Sequence, residues 1–126
     1  MNESLEYILQ LVDFNGEIAK IKLTRNISPI TVERLFKICP VTSTVIKKGD
    51  LVMIPIDLRV ASEKKPRKKL LKGEIGYSPL SRMLVIAIRD AELSLPLNYI
   101  GKLLGDTEKI KKLSTGLSVK LIRSQA

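Results

Sequence analysis

Seven basic side chains stand between Arg59 and Lys72, with a single acid, Glu63, among them. The chain carries a net charge of +9, so most of its positive surplus is concentrated in this one stretch. Lysine and arginine at such density can neutralise phosphates and release their counterions. The run Lys64, Lys65, Arg67, Lys68, Lys69 and Lys72 is therefore a candidate basic patch for nucleic acid. Two features argue for the plainer reading, a solvated and solubilising tip. No aromatic side chain interleaves the run to stack bases. Lysine also outnumbers arginine, the better residue for bidentate recognition.

Catalytic chemistry has few residues to draw on. The chain has no histidine and one cysteine, Cys39. The commonest general base is therefore missing, and with it the Ser–His and Cys–His nucleophile pairs and histidine metal sites. Cys39 stands before Pro40 at the end of an apolar helix face and reads as a buried small hydrophobe. The five aspartates and eight glutamates are scattered without ligand-type spacing, so neither a metal site nor a cofactor is expected. Binding chemistry has more to work with. Tyr77-Ser78-Pro79 interrupts a strand pattern, and tyrosine presents an apolar face with a polar tip. Tyr77, Pro79, Arg82 and Tyr99 are the surface candidates that follow.

The elements that must position these residues read mostly as strands. From Asp50 to Val60 the residues Val52, Ile54, Ile56, Leu58 and Val60 share one face at period two, which predicts a long strand. Pro55 cannot donate to a ladder, so a bulge or a free edge is expected there. Leu5 to Thr24 reads as a hairpin turning at Asn15-Gly16, with both turn residues at positive φ. Ser28 to Cys39 reads as a helix capped by Ser28, with Pro29 in its first turn and Val32, Leu35, Phe36 and Cys39 inward. Val41 to Lys48 is a connection or short strand. Ser62 to Lys72 is a long loop. Arg82 to Ile88 is apolar on both faces, as in a barrel wall covered by a helix. Leu95 to Leu104 is a short extended segment, Thr107 caps a small helix over Glu108 to Leu113, and Leu117 to Ile122 is the last strand.

At 126 residues with 44% hydrophobic composition, residues 1–126 form one globular domain. No apolar run approaches the roughly 20 residues of a membrane helix. The first residues lack the basic start of a signal peptide, so a cytoplasmic location is expected.

Several segments resemble cyclophilins. Ser28-Pro29-Ile30-Thr31-Val32-Glu33-Arg34-Leu35 is similar to the cyclophilin segment in which proline and Thr-x-Glu open the first helix. Gly49-Asp50 resembles the run into the cyclophilin catalytic strand. Asn98 to Asp106 resembles the late segment that begins the second helix. Closer still are small cyclophilin-like proteins of archaea and thermophilic bacteria, whose function is uncharacterised. Their Ser-Pro-x-Thr-Val, Gly-Asp and Gly-Glu-Ile-x-Tyr-x-Pro patterns match Ser28–Val32, Gly49-Asp50 and Gly73–Pro79. The likeness spans about residues 7 to 123.

This resemblance implies a mainly β fold: a closed cyclophilin-like barrel of about eight strands with two short helices covering its ends. It does not carry prolyl isomerase activity across. Cyclophilins place Phe-x-Phe-His-Arg where this chain has Leu51-Val52-Met53-Ile54-Pro55, and their Gln-Phe-Phe-Ile where it has about Met83 to Ile88. The cation and donors that favour the twisted amide are missing at those positions. The expectation is a non-catalytic module that binds a peptide or small ligand in the groove used by cyclophilins, with Met53, Arg59, Tyr77, Pro79, Arg82 and Tyr99 as candidates. The alternatives are a weak prolyl isomerase and a nucleic-acid-associated protein using residues 64–72.

Overall fold

The structure is a computed structural model that describes residues 6–124. The chain runs through β1 (Glu6–Asp13), β2 (Gly16–Thr24), α1 (Pro29–Ile38), β3 (Val41–Thr44), β4 (Ile46–Lys48) and β5 (Leu51–Pro55). It continues with β6 (Arg67–Leu70), β7 (Glu74–Ser78), β8 (Met83–Ala87), β9 (Ala91–Leu104), α2 (Glu108–Lys111) and β10 (Ser118–Arg123). The fold is mainly β with two helices. The strands follow the order β3-β10-β1-β2-β9-β7-β8-β5-β4, with β6 paired to β9 off this path. That is ten strands where about eight were expected. The hydrogen-bonded path is also open, because no ladder joins its two ends, β3 and β4. Those ends are instead consecutive in the chain, linked through the buried Val45, whose amide and carbonyl bond to Leu117 and Gly116.

The β1–β2 hairpin forms, and its inward residues Leu9, Leu11, Ile21 and Leu23 are buried. Leu5, the first residue of the expected hairpin, lies outside the described residues. The turn sits one residue earlier than the Asn-Gly pair suggests. Phe14 and Asn15 are its central residues, and only Gly16 takes positive φ, at 118°. The Asp13 carboxylate accepts from the Asn15 amide at 2.8 Å, a side-chain turn that replaces the expected type.

Helix α1 is where the apolar spacing put it, but Ser28 makes no side-chain cap. Glu63, far along the chain, does that work. Its carboxylate accepts from the amides of Ile30 at 3.3 Å and Thr31 at 2.7 Å, and from the Thr31 hydroxyl at 2.6 Å. A carboxylate there satisfies free amides and complements the helix dipole. Thr107 likewise fails to cap α2. Its hydroxyl is buried without a partner, and Asp106 accepts from the Glu108 amide instead.

The expected long strand ends early. β5 pairs with β8 as far as Pro55 and with β4 only as far as Met53, so Pro55 stands at a free edge as expected. Beyond it Ile56 and Leu58 stay buried, so the alternation of faces survives without the ladder. Tyr77 explains how. Its ring is fully buried, and its hydroxyl accepts from the Leu58 amide at 3.0 Å. The Ile56 and Leu58 carbonyls lie 2.7 and 2.8 Å from the same oxygen, whose single proton serves one of them at a time.

Three further expectations change. The basic stretch is not all loop, since β6 occupies Arg67–Leu70. The segment near Leu95 belongs to a fourteen-residue strand, β9. The outer face of β8 is covered by strands, not by a helix: Leu70 of β6 and Leu97 of β9 pack on Val85 and Ala87. β9 also runs between β2 and β7, and Gly101 permits this. A Cβ there would lie 2.0 Å from the Lys22 carbonyl oxygen, so backbone approaches backbone where only glycine fits.

An aromatic and ionic cluster fastens α1 to the sheet. Tyr7 and Phe36 stack at 4.0 Å, and the Tyr7 hydroxyl donates to Glu33 at 2.7 Å. Arg25 pairs with the same carboxylate. The Tyr7 hydrogen bond, then Arg25, holds the Glu33 pKa below its ordinary value of 4.5.

Two outcomes follow, both read by urea unfolding. Tyr77→Phe removes the phenol from the Leu58 carbonyl and leaves the Leu58 amide and the Ile56 carbonyl only their bond to each other, and is expected to cost about 1–3 kcal/mol. Ile54→Ala, which empties a core position, is expected to cost about 2–5 kcal/mol. A loss below about 0.5 kcal/mol in either, the scale of a surface substitution, would contradict the packing described. Glu33 has a depressed folded-state pKa, so its contribution is complete above the unfolded value and lost as pH falls through the folded value. The stability gap between wild type and Glu33→Gln should therefore be full at neutral pH and shrink on acidification below 4.5. A gap independent of pH would remove Glu33 from the ionic cluster.

Candidate functional site

Two concave surfaces flank the turn from Ser78 to Arg82. The first is a cleft of 620 Å³ on the outer face of the sheet. Its floor is Leu51 and Met53 from β5 with Met83 and Val85 from β8. These outward rows of two adjacent strands are brought side by side by the register Met53↔Val85. Its wall is the first half of β9. Between Arg67 and Lys69 the β6–β9 register jumps from Leu97 to Glu92, so the residues from Leu93 to Pro96 bulge out of the ribbon. Leu93, Ser94 and Leu95 line the cleft as a result.

The two ends of this cleft differ in chemistry. Ser78 and Ser81 stand near the start of β8. Lys48, Asp50, Asp90 and Glu92 stand near its end. Asp50 pairs with Arg89 at 3.1 Å, and the Asp90 carboxylate accepts from the Lys72 amide at 2.8 Å. Three acids against Lys48 make this the one rim of the cleft with acidic character, on a chain whose overall charge is strongly positive.

The second surface, of 510 Å³, lies across the turn and is lined by Arg34, Arg59 and Arg82 with Ile30, Val60, Ala61 and Pro79. The six groove candidates thus divide. Met53 belongs to the first cleft, and Arg59, Pro79 and Arg82 are brought together in the second. Arg59 does not continue the row of Met53, because the strand has ended at Pro55. Tyr77 is not a surface residue at all; it is buried beneath the turn. Tyr99 is half-buried, with the Arg67 guanidinium 4.6 Å from its ring centre. Burial raises its phenol pKa, Glu74 adds to the rise, and Arg67 opposes it.

Sequence spacing did not point to Leu51, Met83, Val85, Leu93 or Arg34. One signal for them was present. A strand apolar on both faces needs a cover, and Leu93-Ser94-Leu95-Pro96-Leu97 has the period-two pattern able to supply it. Cys39 is buried, as its apolar setting suggested, and burial pushes its thiol up to about 11.

The two ends of the basic run lie beside different helices. Lys64 lies beside the start of α1 with Asn26 and Ile30. Lys72 lies beside Lys102, Asp106 and Thr107, near the start of α2. Lys47 reaches the Lys111 carbonyl on α2. Arg67 is committed to Glu74 at 2.7 Å and to Tyr99. Lys65, Lys68 and Lys69 are exposed. No helix among the described residues is long and apolar enough to cross a membrane, and no group of acids, cysteine or histidine among them could hold a metal ion.

Comparison with known proteins agrees with this architecture. A family model described as cyclophilin-like matches residues 9–122. The solution structure of a hypothetical protein from Archaeoglobus fulgidus is similar, with a TM-score of 0.80 and 21% identity. The match covers 98% of this chain and 100% of that one, and at this identity it speaks to fold alone. No curated protein matches the chain in sequence.

The dispersal of the lysines carries an expected outcome. Five or six phosphate contacts would give a salt slope of about −5, so any binding to duplex DNA should fall roughly a thousandfold between about 50 and 200 mM salt. Titration of labelled duplex and single-stranded oligonucleotides at about 150 mM salt should show negligible binding. Submicromolar binding lost on changing Lys64, Lys65, Lys68 and Lys69 to Ser, with folding intact, would reverse this assessment.

Proposed function

The chain belongs to the cyclophilin-like family, and from that premise we propose that it is a non-catalytic binding module whose outer cleft takes a short apolar peptide segment or small ligand. On this reading the wrapped sheet is a barrel whose seam is the chain itself at Val45. What supports the binding role above all is the cleft between the β5–β8 floor and the bulged wall of β9. Its 620 Å³ falls within the range of about 300–1,000 Å³ typical of ligand sites. Its apolar floor is partly open to solvent and ringed by a few polar groups, the combination such sites share. Burying an apolar side chain against Met53, Met83 and Leu93 would supply affinity, and methionine adapts to more than one shape. The acids Asp50, Asp90 and Glu92 at one end favour a ligand that carries positive charge there.

The same floor supports a binding role over isomerase chemistry. The floor positions that correspond to the cyclophilin Phe-x-Phe-His-Arg strand hold Leu51 and Met53, with no cation among them. Rotation about a prolyl bond is helped by donors placed at the twisted amide, and a purely apolar floor binds ground and transition states alike.

The test uses the methyl groups of Met53 and Met83 as reporters. Titration with short apolar, proline-containing peptides, one ending in lysine and one in glutamate, is followed by NMR. Both methyl resonances should move, with tighter binding of the lysine peptide, and Leu95→Lys, at an exposed position of the cleft wall, should weaken the response without unfolding the protein. Isomerisation of the same peptides should proceed at the uncatalysed rate, over roughly tens to hundreds of seconds. Shifts confined to other surfaces would sink the cleft assignment, and clear acceleration of isomerisation would replace the non-catalytic reading.

A further inference from the structure

The second cleft collects three arginines from three separate parts of the chain. Arg34 comes from α1, Arg59 from the stretch after β5, and Arg82 from the turn into β8. Two of them are anchored to one short segment. The Arg34 guanidinium donates to the Arg59 carbonyl at 2.6 Å, and the Arg82 guanidinium pairs with Asp57 at 3.1 Å. The Arg59 guanidinium has no hydrogen bond or ion pair among the described residues. Asp57 is well exposed and does not line the cleft, so three cations face it against one acid at its margin.

Arg82 adds a second observation. It is the one non-glycine residue among those described with a left-handed backbone, at φ 55°. Its amide donates to the Ser78 carbonyl at 2.7 Å, and its carbonyl accepts from Ile56 at 3.0 Å, so the conformation is fixed from both sides. Glycine would occupy such a position without strain, yet the position holds an arginine that reaches the cleft.

We propose that this cleft is an anion site that takes a doubly charged phosphate group between Arg34, Arg59 and Arg82. Guanidinium groups match phosphate in charge and in fork geometry, and the two charges of the group suit the surplus left after Asp57 is counted. Ile30, Val60 and Pro79 line the same cleft and would contact whatever carbon group the phosphate is esterified to. The site is independent of the apolar cleft, from which the turn from Ser78 to Arg82 divides it.

The experiment is an NMR titration of the full chain at low salt, following the arginine Nε signals. Inorganic phosphate, phenyl phosphate and singly charged acetate are the probes. Arg34, Arg59 and Arg82 should shift with both phosphates and much less with acetate. Tighter binding of phenyl phosphate assigns the site to a phosphate ester, and equal binding assigns it to the free anion. Each of Arg34→Gln, Arg59→Gln and Arg82→Gln should weaken binding by about fivefold, the upper end for one exposed ion pair. Arg82→Gly should keep or raise the melting temperature while losing the same affinity, which separates ligand contact from fold. The variant with serine at positions 64, 65, 68 and 69 should bind as wild type does. The proposal fails if neither phosphate binds, if the serine variant loses as much affinity as the arginine variants, or if Arg82→Gly binds unchanged.

Discussion

β5 ends at Pro55, and the consequences of that ending reach most of the molecule. The β5 ladder stops there, yet the next apolar residues, Ile56 and Leu58, still have to enter the core. Burying them takes their backbone groups out of water, which is tolerable only with new partners. The Tyr77 hydroxyl supplies these partners for the Leu58 amide and for one carbonyl at a time. A phenol thus stands in for a missing strand partner, and desolvation raises its pKa. The segment held this way leads to Glu63, which closes the amino end of α1, and to Asn98. The Asn98 side chain accepts from the Glu63 amide at 2.9 Å and donates to Thr31 and to the Ala61 carbonyl. Helix, long connection and β9 are therefore coupled through hydrogen bonds that begin where the ladder fails.

The same interruption creates the two clefts. A strand continued to Val60 would have carried Arg59 along the row of Met53. Because the chain leaves the sheet, Arg59 swings to the α1 side of the Ser78–Arg82 turn, where Arg34 and Arg82 also project. The floor of the outer cleft is left apolar, with Asp50, Asp90 and Glu92 near one end. Neighbouring concavities of opposite electrostatic character result, an arrangement that the net charge of +9 does not suggest.

The amphipathic elements were legible in the residues. The β1–β2 hairpin, α1 and β10 follow from period-two and helical spacing, because each buries one clear row against the core, and β8 follows from an apolar run buried on both faces. The family was legible from an ordered set of short motifs, each weak alone. The site was much less so. Tyr77 looked like a surface aromatic because a strand break follows it, and nothing local indicates that the broken end of β5, over twenty residues earlier, needs its hydroxyl. Ser28 and Thr107 have the right types and positions for caps. Acids do the work in both cases, Asp106 from the next position and Glu63 from over thirty residues away, and the distant one cannot be read from a local pattern. The Leu93–Leu97 wall was hidden by Pro96, which argues against a regular strand but suits a bulge. The order of strands in the sheet is a global property, and the bonds of Val45 to Gly116 and Leu117 join segments far apart in the chain.

Fold and chemistry therefore separate at identifiable residues. A sheet with an outward face on adjacent strands can keep that face when its side chains change. An apolar floor of leucine, methionine and valine can hold a ligand by burial alone. Acceleration requires groups whose interaction strengthens as the amide twists, and a cation helps only if it reaches the reacting bond. The Arg82 guanidinium is paired with Asp57 and lines the cleft beyond the turn, and reaching the floor would mean giving up that pair. On this reading the same strand ending that opened the arginine cleft also took a positive charge away from the place where isomerase chemistry would use it.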